Sequence, residues 1–258
     1  MLKKILLTTL FSLLTAGLGG GYLYHAGNYA RKCSAERNCT AIDIRVLDSL
    51  EASLVSSHDV MGFIPQGAKL VGKSISQIDL HDIESALRSR GEILSAEAYC
   101  RCDGSLGIDL TQRHAKLRFN AGEKAFYCDS VGYVFPISKN VDVPVFTGQI
   151  PIAWSAPEKG MREDPAEIKW LEGALALGNY IENNWFYHGQ IEQIDVAQNG
   201  DVVLYTRDGS QKFIFGDFSD IDEKFAKISL FYKGPGSEKG GKQYTTVNVK
   251  YKNQIICR

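Results

Sequence analysis

The sequence predicts an α+β protein. An apolar N-terminal segment is followed by a β-α-α-β-β unit, then by a mainly antiparallel sheet with flanking helices. Three observations carry this. Residues 5–26, "ILLTTLFSLLTAGLGGGYLYHA", contain no ionisable side chain other than the tyrosines and His25. Residues 79–91, "DLHDIESALRSRG", set Leu80, Ile83 and Leu87 at helical spacing between two alternating stretches. Asp-Gly or Asn-Gly pairs at 103–104, 199–200 and 208–209 separate runs of strand composition.

The apolar run is long enough to cross a bilayer as a helix. Lys3 and Lys4 hold residues 1–4 on the cytoplasmic side, and Tyr22 and Tyr24 suit an interfacial belt. A cleavable signal peptide is the competing reading. Its best small-residue site follows Ala16, where Leu14 at −3 is not small. We read 5–26 as an uncleaved transmembrane helix and 27–39 as an exported linker. The net charge of −1, without a long basic cluster, offers no nucleic-acid footprint.

Along the chain, "AIDIRVLDS" alternates Ile42, Ile44 and Val46 as a strand. Ser57 is expected to cap a short helix in "SSHDVMGFI". Gly67–Gly72 reads as a loop, Asp79 caps the helix that follows, and Gly91 closes it. "ILSAEAYCRC" and "LGIDLTQ" form a hairpin through Asp103-Gly104. This first unit spans about residues 40–120. The second, 121–258, opens with "FYCDSVGYVFPISKNVDVPVFTG" (126–148), with strand composition broken at Gly132 and Pro136. A helix follows with Pro165 near its start and a stripe of Ile168, Leu171, Leu175 and Tyr180. Three strands, a helix in "DIDEKFAKISLFYKG", a Gly- and Lys-rich loop, and one long or two short strands to Arg258 complete it.

Six cysteines invite a chemical reading. Cys128 beside Asp129, with His114 or His188 as base, is the sharpest catalytic candidate and defines an alternative function, an envelope thiol hydrolase. "CDSVG" lacks the local signatures of known thiol hydrolases, so a small buried core residue is the favoured reading. Cys33 and Cys39 lie close in the exported linker and form the natural candidate disulfide. Cys100 and Cys102 share a strand face and are a less comfortable pair. The spacings of Cys and His suggest no metal. Asp103-Gly104 is hairpin chemistry, and Glu163-Asp164 suits a helix N-terminus better than acid–base work. Trp170 and Trp185 read as core packing rather than a sugar platform, and the Lys233–Lys242 loop as solvated rather than glycan- or lipid-binding.

In combination, "IESALRSRGEILSAEAYCRCDGSLGIDLTQR" (83–113), "FYCDSVGYVFPIS", "VPVFTG" and the terminal "VNVKYKNQIICR" resemble the FtsQ/DivIB family of bacterial cell division proteins. Where family members often carry a proline after "QR", this chain has His114-Ala115. The resemblance implies a POTRA domain over 40–120 and a β-domain over 121–258. It implies a non-enzymatic, single-pass inner-membrane scaffold with a cytoplasmic N-terminus and periplasmic domains, without cofactor or small-molecule substrate. Its implied partners are FtsB- and FtsL-like proteins and other divisome components, linked to septal peptidoglycan synthesis. The FtsB contact carries over to the terminal strand at Tyr251, Asn253, Gln254 and Ile255, as strand addition to an open sheet edge. That strand is expected to alternate Val247, Val249 and Tyr251 and to run on to Ile255, with Lys250 and Lys252 suiting an acidic partner segment. A translocation component of the outer membrane would need repeated POTRA units and a long run of barrel strands, which 258 residues with one such unit do not supply.

Overall fold

The computed structural model describes residues 17–27, 37–49, 54–153, 159–208, 211–234 and 244–258. Residues 17–27 form helix α1. Among the described residues no helix is long and apolar enough to cross a membrane. The first twelve residues of the expected anchor, and Cys33, lie outside the described residues, as does most of the Gly- and Lys-rich loop.

The chain divides into two compact units. The first contains β1 (Ile42–Val46), α2 (Ser57–Phe63), α3 (Leu80–Arg88), β2 (Ile93–Cys100) and β3 (Leu106–Gln112). Its sheet has the order β1-β3-β2, and β1 runs parallel to β3 with Ile42 opposite Leu106. Leu106, Ile108 and Leu110 are buried on one face of β3, as are Ile83 and Leu87 of α3. The opposite face carries Arg45 and Asp109, 2.5 Å apart. The β2–β3 connection closes where the Arg101 carbonyl accepts from Gly104 N–H, with Gly104 at φ +87°, a conformation cheap only for glycine.

Local capping follows the sequence closely. Asp79 accepts hydrogen bonds from the backbone of His81 and Asp82 at the start of α3. The cap of α2 falls one residue earlier than expected. Ser56, not Ser57, forms a reciprocal capping box with Asp59, the residue three positions on. Helix α3 ends at Ser89 without glycine in a left-handed conformation. Gly91 serves close packing instead, since a Cβ there would lie 2.8 Å from Phe135 Cβ. The outer side of β2 is covered from α3. Glu84 Oε1 accepts from Ala98 N–H at 2.9 Å, and Arg88 donates to the Ala96 carbonyl at 3.1 Å.

The second unit is built on a nine-stranded mixed sheet. Its strands are β4 (Ala115–Ala121), β5 (Lys124–Asp129), β6 (Val134–Pro136), β7 (Val145–Gly148), β8 (Ile191–Val196), β9 (Val202–Thr206), β10 (Lys212–Gly216), β11 (Thr246–Asn248) and β12 (Ile256–Cys257). The order is β12-β11-β10-β9-β8-β7-β4-β5-β6. Five of its eight pairings are antiparallel, and β4-β7, β7-β8 and β10-β11 are parallel. Residues 115–121, which the sequence reading set at the end of the first unit, pair as β4 in this sheet. The parallel steps need crossovers. Helices α4 (Pro165–Glu182) and α5 (Trp185–Gln190) join β7 to β8, and α6 (Ile221–Lys233) joins β10 to β11.

Helix α4 starts where Asp164 caps Ala166 N–H, with Pro165 as its first residue. Its buried face is Leu171, Ala174, Leu175, Leu177, Gly178 and Ile181, whereas Ile168 is exposed. The stripe read from large apolar residues is therefore shifted. Small residues meet the sheet because a Cβ at Gly178 would overlap Leu117 Cδ2. Trp170 packs among Phe119, Phe146 and Phe218, with ring centroids 5.5–6.0 Å apart, while Trp185 is exposed. Phe225 and Phe231 of α6 pack on Phe215 and Phe213 of β10.

Candidate partner-binding edge

The thiol reading finds no support in the geometry around Cys128. The side chain is fully buried on β5, and its hydrogen bond goes to the carbonyl of Asp129 at 3.4 Å. Burial, reinforced by the neighbouring Asp129 charge, pushes the thiol up to about 12. That is opposite to what a thiolate nucleophile needs. Neither proposed base is its hydrogen-bond partner. His114 Nε2 lies 3.1 Å from Asp48, and His188 Nδ1 lies 3.2 Å from Glu182. Asp129 itself accepts from Arg113 at 2.6 Å and from the backbone of Val131 and Tyr133 at 3.0 and 2.9 Å. It fixes the turn that leads to β6, where Gly132 sits at φ +85°. Cys39, Cys100, Cys102, Cys128 and Cys257 are free thiols.

The C-terminal end of the sheet has a different character. The expected continuous strand does not form. After β11 the chain leaves the ladder at Val249 and turns through Tyr251–Asn253, with Asn253 at φ +60°. It returns as β12, antiparallel to β11, with Val247 opposite Cys257 and Asn248 opposite Ile256. Of the residues carried over from the family, Tyr251 and Asn253 therefore lie in the turn. Gln254 and Ile255 lie on the approach to β12. Tyr251 is 46% exposed, Gln254 is exposed, and the Ile255 side chain packs against the core.

The register decides which backbone groups face outward. Thr246 and Arg258 exchange both N–H···O=C bonds, at 3.0 and 2.9 Å. In an antiparallel ladder the residue between two such pairs turns its N–H and C=O away from its neighbour. On β12 that residue is Cys257. β12 ends the sheet order, so among the described residues no strand pairs with this side. Cys257 was not among the residues read from sequence, because the terminal register could not be fixed without the turn.

Two side chains of α6 hold the turn, and sequence reasoning missed both. Lys227 Nζ donates to the carbonyls of Val249 and Tyr251 at 3.0 and 2.9 Å and lies 3.2 Å from Glu223. Glu223 Oε1 accepts from Asn253 N–H at 3.5 Å. The available signal was a buried-face lysine in an otherwise aromatic and aliphatic stripe, since Lys224 and Lys227 interrupt Phe225, Ile228 and Phe231. Lys250, expected to attract an acidic partner, is instead engaged with Asp201 at 2.6 Å.

The mixed sheet thus ends in a short C-terminal hairpin and follows a small β-α-α-β-β unit in the chain. A family model described as FtsQ/DivIB, C-terminal related, matches residues 116–258, more than half the chain. The chain belongs to the FtsQ/DivIB family. A POTRA-like domain model matches residues 37–111, which cover the β1-β3-β2 sheet and its helices. No curated protein matches the chain. FtsQ/DivIB proteins are in general membrane-anchored, non-enzymatic scaffolds of cell division. In this member the whole β12 edge, the turn and α6 fall within the region matched by the FtsQ/DivIB model.

Proposed function

We propose that this FtsQ/DivIB protein is a single-pass scaffold of the bacterial divisome, anchored in the inner membrane through residues 5–26. Its N-terminus is cytoplasmic and its two domains are periplasmic. It captures an FtsB-like protein, held in turn by an FtsL-like protein, by strand addition at β12. This links them to septal peptidoglycan synthesis. The observation that carries the reading is the outward-facing backbone of Cys257 on β12, the strand that ends the sheet. Tyr251 and Gln254 flank that edge as exposed side chains able to select a partner strand.

Depletion of the protein followed by microscopy tests the role. Filamentous cells with unconstricted division sites are expected. Cells that divide at normal length after complete depletion would overturn it.

A further inference from the structure

A two-residue strand is too short to hold its own geometry by ladder hydrogen bonds alone. Isolated hairpins are marginal even when longer. Something else must keep β12 where a partner can add to it. The chain between β11 and β12 contains Asn253 at φ +60°, an uncommon conformation for a residue other than glycine or a turn-forming Asn. The carbonyls of Val249 and Tyr251 point away from the β11–β12 ladder, and both are taken up by one ammonium group.

We infer that Lys227 and Glu223 of α6 form a positioning clamp that presets the partner-binding edge. Lys227 fixes the carbonyls of Val249 and Tyr251, Glu223 fixes the N–H of Asn253, and the two side chains fix each other. Three points of the turn, at residues 249, 251 and 253, are thus tied to a rigid helix one turn apart in sequence. This rests on the reading of β12 as the partner-binding edge.

The placement of the clamp supports this role. Lys227 has only 9% of its side chain exposed, which is unusual for lysine unless its charge is used. An ammonium with three donors and three acceptors around it is fully employed. Glu223 stands at the more exposed end of the pair, and hydrogen bonding from Lys227 and then from Asn253 holds its carboxyl below the usual range. The carboxylate is thus the form that matches the clamp at neutral pH. A preset edge removes ordering cost from the binding step, which appears as affinity.

Lys224 supplies an internal control. It is as deeply buried, lies on the same helix, and spends its charge on Asp217, at 2.7 Å, rather than on the C-terminal turn. Lys227→Met and Lys224→Met therefore remove matched buried charges from α6, and only the first touches the turn.

The test uses full-length protein co-expressed with the FtsB- and FtsL-like proteins of the same cell. Capture is measured by co-purification and titration, and amide hydrogen exchange is followed over residues 249–258. Lys227→Met is expected to weaken capture by about tenfold, the loss expected from one or two charge-assisted hydrogen bonds. Exchange at Tyr251, Asn253 and Cys257 rises in the same variant. Lys224→Met lowers thermal stability yet captures the partner as the wild type does. If Lys227→Met does not fold, Glu223→Ala carries the test from the more exposed side, with an expected loss of about threefold. A chain ending at Lys250 separates the edge from the clamp. Capture that survives this truncation overturns the β12 edge and the clamp together. Capture lost on truncation but intact in Lys227→Met, or lost equally in Lys227→Met and Lys224→Met, overturns the clamp alone.

Discussion

Arg113 Nη1 lies 2.6 Å from Asp129 Oδ2, and both side chains are nearly buried, at 12% and 8% exposure. The guanidinium also stacks 3.5 Å from the ring centroid of Tyr133, and Asp129 accepts two backbone N–H groups of the turn after β5. The residue that the sequence offered as partner to a catalytic thiol is thus the centre of a structural knot. Breaking a buried pair leaves an uncompensated charge. Asp129→Ala is expected to destabilise the protein by about 3 kcal/mol, measured by urea unfolding of the full chain in detergent. A change under 0.5 kcal/mol would contradict the knot.

A second prediction concerns acid. Asp217 receives hydrogen bonds from Lys224 Nζ and from the hydroxyl and backbone N–H of Ser219, and its carboxyl is held down to about 2, first by Lys224. A carboxylate whose folded value is lowered contributes stability that is complete above its unfolded value near about 4. That contribution is lost as pH falls from about 4 to about 2. The wild type should therefore lose more stability over this window than Asp217→Asn. Parallel unfolding curves for the two proteins across the window would refute the assignment.

Much of the fold was legible because it is local. Asp79 and the Asp103-Gly104 and Asn199-Gly200 turns act through hydrogen bonds within a few residues, Pro165 acts through its fixed φ at the first position of α4, and the elements they bound stand where the sequence set them. Ser56 displaced Ser57 as the cap because Asp59 lies three residues after Ser56, the spacing a capping box needs. The α4 stripe was misjudged because size was taken as the sign of burial. Gly178 is buried by the close approach of the sheet at Leu117, which no hydropathy pattern records. The candidate site was only half legible. Its place near the C-terminus came from the resemblance, but the turn at Tyr251–Asn253 is hydrogen-bonded to Lys227 and Glu223, more than twenty residues upstream in sequence. Without that turn, the outward register of Cys257 could not be read.

That register yields a backbone test. Proline at Cys257 removes an N–H that points away from β11 and leaves the β11–β12 hydrogen bonds of Ile256 and Arg258 in place. Cys257→Pro is expected to weaken capture of the FtsB-like partner at least tenfold, as read by titration, and Cys257→Ala to leave it within about twofold. Equal effects of the two substitutions would show that the side chain, not the ladder, makes the contact.

In the proposed function the partner adds to the β12 end of the nine-stranded sheet and not to its β6 end. Site-specific photo-crosslinking in dividing cells measures this most directly. A photoreactive residue is placed in the protein at Gln254, just before β12, or at Ile256 on it, or at Ser138 or Lys139, beyond β6. Covalent adducts with the FtsB-like protein are expected from positions 254 and 256 and none from 138 or 139. Adducts from the β6 positions, with none from 254 or 256, would contradict the proposed function.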